Sequence, residues 1–256
     1  ALLIKFMEME YVMLVDIVGA TFAIICLLCV KLNDPKKEYR KNEKSNFSGE
    51  FRHGLNALKK NKPLYRTIPH YVITGFLYMP LNALFMLLVV VHYGGGETEA
   101  SYMEIAIGLG MILGSIIVGQ FGKMKRKLTV FSLATAAMGG FAFVVGALPP
   151  ALFWIGVIVT FVWGIVVPFF SVPFGAYAQE SILPEDMGRV TSLIYVLCYI
   201  GNPLGIAVAG PIADMVGINN LFMVIGILLV INALLCVLFV WKSETEYVLQ
   251  KYSKKE

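Results

Sequence analysis

Residues 151–177 read ALFWIGVIVTFVWGIVVPFFSVPFGAY, a stretch of 27 residues without a charged side chain. A helix needs about 20 apolar residues to cross the hydrocarbon core of a bilayer, which is about 30 Å thick. A chain in that core must also satisfy its backbone N–H and C=O groups within its own segment, and a helix does so. The stretch therefore predicts a membrane-spanning α-helix.

Six further long apolar stretches lack Lys and Arg throughout. They cover residues 11–30, 68–91, 101–121, 128–148, 190–212 and 221–241. Of the 256 residues, 58% are hydrophobic and 15% are charged. This composition excludes a disordered chain, a disulfide-stapled secreted module, a nucleic-acid-binding protein and a separate water-soluble catalytic domain. The stretches do not alternate polar and apolar residues, which excludes a β-barrel. We predict an all-α membrane protein with seven transmembrane helices.

The basic residues predict the orientation of these helices, because cytoplasmic loops carry an excess of Lys and Arg. Assigning the loops alternately to the two sides places 20 of the 21 basic residues on one side and Lys5 alone on the other. The predicted cytoplasmic segments are 31–67, 122–127, 178–189 and the tail at 242–256. The six-helix transmembrane bundle is predicted at 68–241. Residues 1–10 then lie outside the cell as the stump of a preceding helix and loop, so we interpret the chain as the rear part of a longer protein.

The segment 31–67 is the one long polar stretch of the chain. Within it, residues 48–62 place Phe51, Leu55 and Leu58 on one helical face, opposite Arg52 and the lysines that follow. Such a pattern predicts an amphipathic helix that lies on anionic lipid. The alternative interpretation is an ordinary basic linker.

The sequence lacks the residues that would bind a metal or haem, or that would carry out the reactions of the common membrane enzymes. Four cysteines lie inside apolar stretches, where a reduced cysteine packs as a small hydrophobic residue. The three histidines lie at the edges of stretches or in loops, without a buried pair that could hold zinc or haem. No Lys lies within a stretch to form a retinal Schiff base. We therefore expect no metal, no cofactor and no enzymatic activity.

Small residues and prolines mark where the helices pack and bend. Glycines recur at 110, 114 and 119, and again at 201, 205 and 210, a spacing that lets helix backbones approach closely. Prolines within the stretches remove backbone hydrogen bonds and permit kinks, either static or used in gating. These prolines are Pro80, Pro168, Pro173, Pro203 and Pro211.

The polar and aromatic residues of the stretches align with the helical period. Tyr78 and Asn82 continue a stripe that starts at Thr74, and Met111 belongs to a second stripe. Polar groups within a membrane normally face the bundle interior or a wet cavity. We predict a pocket for a large, mostly apolar or cationic molecule, although packing between helices is an alternative. Its candidate residues are Tyr78, Asn82, Met111, Trp163, Phe170, Tyr195, Tyr199 and Asn202.

Charged residues at the ends of the stretches are candidates for gating and coupling. Asp16 lies near the outer end of its stretch and is either a proton or cation site or a structural helix-end residue. Glu180 and Arg189 lie in the turn around Pro184, which predicts a helix start. We expect Lys123 and Arg126 of the basic turn to pair with carboxylates or lipid phosphates.

At these turns the chain resembles the major facilitator superfamily. The resemblance rests on three short motifs and on the long basic loop. The Gly-rich third stretch runs into Gly-Lys-Met-Lys-Arg-Lys at 122–127. The other two motifs are Pro-Glu-Asp-Met-Gly-Arg at 184–189 and Gly-Asn-Pro-Leu-Gly at 201–205. Within the family, the chain is similar to bacterial drug and macrolide exporters, whose sixth helix carries an Asp as Asp16 does here. The basic turn lacks the Asp that precedes it in the family signature, so a charge-relay role for this turn is not implied.

This resemblance implies helix six plus the C-terminal six-helix half of a twelve-helix carrier in the bacterial plasma membrane, multi-pass and with a cytoplasmic C-terminus. It implies proton-coupled efflux of amphiphilic drugs such as macrolides, with Glu180, Arg189 and residues 123–127 at the cytoplasmic gate. The expected partners are the small-molecule substrate, protons, membrane lipid and the missing N-terminal half of the transporter. Uptake of a nutrient such as a sugar or nucleoside, and a non-transporting seven-helix scaffold or sensor, are the alternatives.

Overall fold

The computed structural model describes residues 9–29, 47–120 and 124–253, and within these ranges it contains helices and short turns and no strand. The chain divides into two compact units, 1–46 and 47–256. The first unit contains helix α1, Met9–Cys29, where the sequence predicts a span at 11–30. The all-α fold class is confirmed.

The second unit holds the other eight helices of the described chain. They are α2 (Phe47–Lys60), α3 (Lys62–Ala83), α4 (Phe85–His92), α5 (Glu97–Gln120), α6 (Lys127–Ala147), α7 (Phe153–Ser181), α8 (Pro184–Val216) and α9 (Ile218–Ser253). A 3₁₀ turn at Pro150–Leu152 precedes α7. Several helices extend past the apolar stretches because amphipathic turns continue them into the flanking polar sequence. The helix predicted at 48–62 is found as α2.

Five helices of this unit, α5 to α9, are long and apolar enough to cross a membrane. The bent pair α3–α4, taken together, forms a sixth candidate span among the described residues. The pair bends by 45°. Pro80 lies one turn before the break and has no N–H to donate to the carbonyl of Phe76, which weakens the helix there. The other four prolines that the sequence singles out lie inside α7 and α8, which continue unbroken.

Glycines allow α5 and α7 to pack at backbone distance. A Cβ at Gly110 would lie 2.2 Å from the carbonyl oxygen of Phe161, and a Cβ at Gly114 would lie 2.2 Å from that of Ile165. Gly164 of α7 faces the carbonyl of Ile107 in the same way. The predicted role of Gly110 and Gly114 follows from this contact, because only a hydrogen atom fits between the backbones.

Basic residues of the described chain gather at one end of the bundle, which we call the basic end. It is formed by α2, the starts of α3, α6 and α8 and the last turns of α7 and α9. Its basic residues are Arg52, Lys59, Lys60, Lys62, Arg66, Lys125, Arg126, Lys127, Arg189 and Lys242.

At the opposite end, the Tyr93 hydroxyl donates to the carbonyl of Val145 at 2.6 Å. Tyr93 follows the last turn of α4. Burial raises the pKa of Tyr93 to about 12. The hydroxyl therefore stays a neutral donor across the physiological pH range and ties the end of α4 to α6.

Candidate functional site

A column of stacked aromatic rings fills the space between α3, α6 and α7. Tyr71 stacks on Phe174 with ring centroids 4.1 Å apart and on Phe170 with centroids 5.5 Å apart. Phe131 of α6 contacts both phenylalanines, at 5.1 Å from Phe170 and 5.6 Å from Phe174. Aromatic pairs at these distances add stability beyond the area they bury. Tyr71, Phe131, Phe170 and Phe174, here called the aromatic column, therefore form a rigid wall.

A second group of rings surrounds Trp163, further along α7 and the bent pair α3–α4. Tyr78 and Phe85 pack edge-on against Trp163, with centroid distances of 6.4 and 6.3 Å. Trp163 is 2% exposed, and its indole Nε1 has no hydrogen-bond partner among the described residues. The hydroxyl of Thr160, one turn earlier, is also buried without a partner. Unpaired buried donors are rare in proteins, so these two polar groups mark an unusual place in the core.

Four of the predicted site residues are exposed on their helices, where no other described residue covers them. Tyr199 is 72% exposed, Tyr195 57% and Met111 41%, and Asn82 is exposed as well. We call Asn82, Met111, Tyr195 and Tyr199 the exposed stripe. Tyrosine hydroxyls and amides in a span normally face protein or a wet cavity and not lipid. The exposed stripe is therefore a candidate lining for a cavity.

Tyr195 places one part of the exposed stripe near the aromatic column. Tyr195 lies close enough to Tyr71 for the two hydroxyls to interact electrostatically. Tyr195 and Tyr199 form a tilted pair with centroids 6.3 Å apart. A face that joins aromatic rings, hydroxyls and an amide suits a large amphiphilic molecule, because apolar area provides affinity and a few polar groups fix orientation.

Asn202 connects α8 to α3 beside this face. Its Oδ1 is buried and has no hydrogen-bond partner within residues 9–29, 47–120 and 124–253, and a Cβ at Gly75 would lie 3.0 Å from that oxygen. A buried amide oxygen that lacks a donor costs free energy until a donor reaches it. Asn202 therefore has an unused acceptor at the contact between the two helices.

The structure thus divides the eight predicted substrate residues into groups. Tyr78, Trp163 and Phe170 belong to the packed aromatic interior, the exposed stripe holds four more, and Asn202 lies at the α3–α8 contact. Tyr71 and Phe131 are not among the site residues predicted from the sequence. Tyr71 could have been found, because it lies seven residues before Tyr78 and extends the same helical stripe by two turns. Phe131 lies in a stretch whose polar residues are the small hydroxyl residues Thr129, Ser132 and Thr135.

A polar network inside the membrane region also escaped the sequence analysis. The His70 ring lies 2.8 Å from Asn232 Oδ1, so Nδ1 carries the proton and donates to this amide oxygen. The Asn232 Nδ2 group donates to the His70 carbonyl at 3.1 Å and to the Thr74 hydroxyl at 3.0 Å. The network joins α3 to α9 where apolar burial provides little driving force for association.

Charged residues at the basic end tie α6 to α7 and α9. Lys127 donates to Glu180, so the carboxylate partner predicted for the basic turn is provided by the end of α7. The Arg126 guanidinium lies 4.2 Å from the centroid of the Trp241 ring, at a distance typical of a cation–π contact. Glu244 is 1% exposed and accepts hydrogen bonds from the backbone N–H groups of Leu128 and Thr129 at 2.8 and 3.0 Å.

The remaining gate candidates lie apart from this cluster. Arg189 is exposed and 3.9 Å from Asp186 on its own helix, and His53 of α2 lies 3.5 Å from the same carboxylate. The structure therefore places Arg189 at the contact of α2 with α8. Lys123 and the side chain of Asp16 lie outside the described residues.

The described part of α2 packs partly against protein. Leu58 is 2% exposed, and Leu55 joins it in a cluster with Leu64 and Leu193. Phe51 stays 46% exposed. The apolar face predicted to lie on lipid is therefore largely covered by α3 and α8.

Comparison with known proteins identifies the family. A model of the Major Facilitator Superfamily matches residues 1–206. The chain belongs to this family of membrane transporters. It is accordingly a multi-pass membrane protein of a transporter family. The expectation from the sequence that the chain is not an enzyme agrees with this family. Groups of His, Cys, Asp or Glu that could hold a metal ion are absent among the described residues.

Several curated relatives of this superfamily member are drug exporters by name. The chain is 32% identical to macrolide efflux protein A of Streptococcus pyogenes over 237 residues, which are 92% of this chain and 58% of that protein. It is 32% identical to macrolide efflux protein A of Enterococcus faecalis, over 80% of this chain and 64% of that protein. The multidrug efflux pump Tap of Mycolicibacterium fortuitum is 29% identical over 64% of this chain and 40% of that pump. The chain therefore spans less than two thirds of the length of each of these relatives. No solved structure matches it.

Proposed function

We propose that this superfamily member is part of a proton-coupled exporter of amphiphilic drugs such as macrolides. The observation that carries the proposal is the exposed stripe beside the aromatic column. Tyr195 and Tyr199 present two large polar rings at 57% and 72% exposure within a helix long enough to span the membrane. Such residues face lipid only at a cost in free energy, so a cavity or another part of the transporter covers them.

The names of the relatives support drug efflux. The relatives named for macrolide efflux cover most of this chain, and the relative named for multidrug efflux covers 64% of it. The chemistry of the face agrees with such a substrate. Aromatic rings bind the apolar body of an amphiphile and attract a cationic amine, and Asn82 and the tyrosine hydroxyls provide hydrogen bonds. A sugar carrier requires more amides and carboxylates than this face offers.

The proposed mechanism is alternating access. In it, this six-helix unit rocks against a second, N-terminal half of the same transporter around a drug held between them. The N-terminal half covers the exposed stripe from the other side. We place the substrate against Tyr78, Asn82, Met111, Trp163, Phe170, Tyr195, Tyr199 and Asn202, and we place the basic end on the cytoplasmic side of a bacterial plasma membrane.

Charged residues at the basic end form the cytoplasmic gate in this proposal. The Lys127–Glu180 ion pair and the Arg126–Trp241 contact hold the ends of α6, α7 and α9 together. Asp186, which pairs with Arg189 on α8, also contacts His53 of α2, so a movement of α8 is transmitted to α2. Asp16 and Lys123 remain candidates for proton coupling and gating.

Accumulation of a labelled macrolide in cells that express the complete transporter tests the proposed function. We expect less drug in expressing cells than in control cells, and we expect a protonophore to abolish the difference. Equal accumulation with and without the transporter would contradict efflux. Higher accumulation of a labelled sugar or nucleoside would instead identify an uptake carrier.

Thiol labelling of whole cells tests the orientation separately. We expect Gly96→Cys, in the turn before α5, to react with an impermeant reagent from outside. Glu185→Cys, which is exposed at the start of α8, should react only after permeabilisation. The reverse pattern would place the basic end outside the cell.

A further inference from the structure

A groove of about 480 Å³ lies at the basic end, between α2, α3, α8 and α9. Its walls include Leu58 of α2, Leu197 of α8 and Phe239 of α9. The lining is apolar apart from Tyr65, Arg66 and His70. The groove is separate from the exposed stripe, since none of the four stripe residues lines it.

The polar groups of the groove favour an anion. His70 uses its Nδ1–H on Asn232, so in this tautomer its ring has no second N–H to donate to an anion. Arg66 is exposed and uses one guanidinium nitrogen on the Phe239 carbonyl, at 3.3 Å. It forms no ion pair with any carboxylate of the described chain, and a guanidinium has five N–H donors, so several remain free.

The segment that forms the α2 and α3 side of the groove is basic. Residues 51–66 contain five Lys or Arg side chains and no Asp or Glu. Arg52 is next to Phe51, a groove residue whose ring is 46% exposed. A basic amphipathic helix with an exposed aromatic ring is typical of a protein surface in contact with anionic lipid.

We propose that this groove is a binding site for one anionic phospholipid. An acyl chain lies along Leu58, Leu197 and Phe239, and the headgroup phosphate accepts hydrogen bonds from Arg66. Because α2 packs on α8 as well, the bound lipid fastens α2 to the spans that it contacts. The proposal does not depend on what the protein transports.

Native mass spectrometry of the complete protein in detergent tests this site, with phosphatidylglycerol and phosphatidylcholine of identical acyl chains as probes. We expect the wild type to retain phosphatidylglycerol at least fivefold more than phosphatidylcholine. Arg66→Gln should remove this preference. Leu197→Trp, which fills the groove, should lower the retention of both lipids. The matched controls Lys242→Gln and Leu238→Trp change exposed residues of α9 that do not line the groove, and they should behave as the wild type does.

Several results would overturn the proposal. These are equal retention of the two lipids by the wild type, an unchanged preference in Arg66→Gln, and displacement of phosphatidylglycerol by a macrolide, which would identify a drug site. The lipid retention of each variant is compared with that of the wild type only if the thermal unfolding midpoint, measured without lipid, is unchanged. If Leu197→Trp fails to fold, Phe239→Ala takes its place. Phe239 forms part of the groove wall and is 60% exposed, so its truncation removes that wall. Retention unchanged in Phe239→Ala would then contradict the site.

Discussion

Gly205 of α8 lies directly against the carbonyl oxygen of Phe76 in α3, so that a Cβ at Gly205 would be 2.2 Å from that oxygen. The same carbonyl lacks its helical donor, because the residue four positions later is Pro80. One proline therefore frees a carbonyl in the middle of α3, and one glycine lets α8 approach it. The contact holds together the two helices that carry Asn82 and Tyr199.

Gly205→Ala should separate α3 from α8. We expect the free energy of unfolding to fall by about 1–3 kcal/mol, the usual cost of inserting atoms into a packed core. Thermal unfolding in detergent measures the change. Gly210→Ala is the matched control, because a Cβ there meets nothing within 4 Å. An equal effect of the two substitutions would show that helix propensity, and not this contact, decides stability.

Glu244 caps the start of α6 from another helix. Its carboxylate accepts from two backbone N–H groups and from the Thr129 hydroxyl. Glu244→Gln turns one acceptor into a donor that faces other donors, and we expect a loss of about 1.5–3 kcal/mol because hydrogen bonds to charged groups are strong. Chemical unfolding midpoints measure it, with the exposed Glu246→Gln as the control. Equal midpoints in the two variants would exclude this capping role.

Asn232 joins α9 to α3 through His70 and Thr74. Asn232→Leu keeps the approximate volume but removes these hydrogen bonds, and we expect it to cost about 1–2 kcal/mol, as for other hydrogen bonds between membrane helices. Asn220→Leu is the control, since its amide bonds only to residues near it in the sequence. Unfolding midpoints of Asn232→Leu that match the control would show that packing alone holds α3 against α9.

Trp163 should act by supporting Tyr78 and Phe85. Its N–H has no hydrogen-bond partner in the part of the chain that the structure describes. Trp163→Phe therefore removes a buried donor whose desolvation costs about 1–3 kcal/mol, which offsets the smaller ring. We expect this variant to keep near wild-type stability and drug export. Trp163→Ala should lose about 3–5 kcal/mol of stability, as large core truncations do. Normal stability with lost export in Trp163→Phe would instead show that the substrate uses the indole N–H.

The spans were predictable from the sequence because a bilayer imposes a length and an apolar composition on each helix. The start of α8 at Pro184 followed from the same local rules. The 45° bend could not be located in advance, since six prolines lie inside the spanning helices and only Pro80 lies one turn before a break. Whether a proline kinks its helix depends on neighbouring helices that resupply the missing contacts.

The candidate site was predictable only in part. The helical period grouped Tyr78 with Asn82, but periodicity does not reveal which helix covers a face, so the burial of Trp163 and the exposure of Tyr199 required the packed structure. Glu244 lies more than a hundred residues from the backbone groups it caps. No local pattern in the sequence connects such partners.

Equilibrium binding of a labelled macrolide to the complete purified transporter tests most directly whether the exposed stripe binds drug. We expect Tyr199→Ala and Asn82→Ala each to raise Kd about fivefold or more, since the loss of one ring or hydrogen-bond contact is worth about 1 kcal/mol. Leu238→Ala, which changes a residue of α9 that is 74% exposed, should leave Kd unchanged. Wild-type Kd values in both Tyr199→Ala and Asn82→Ala, with all proteins folded, would contradict the proposed site.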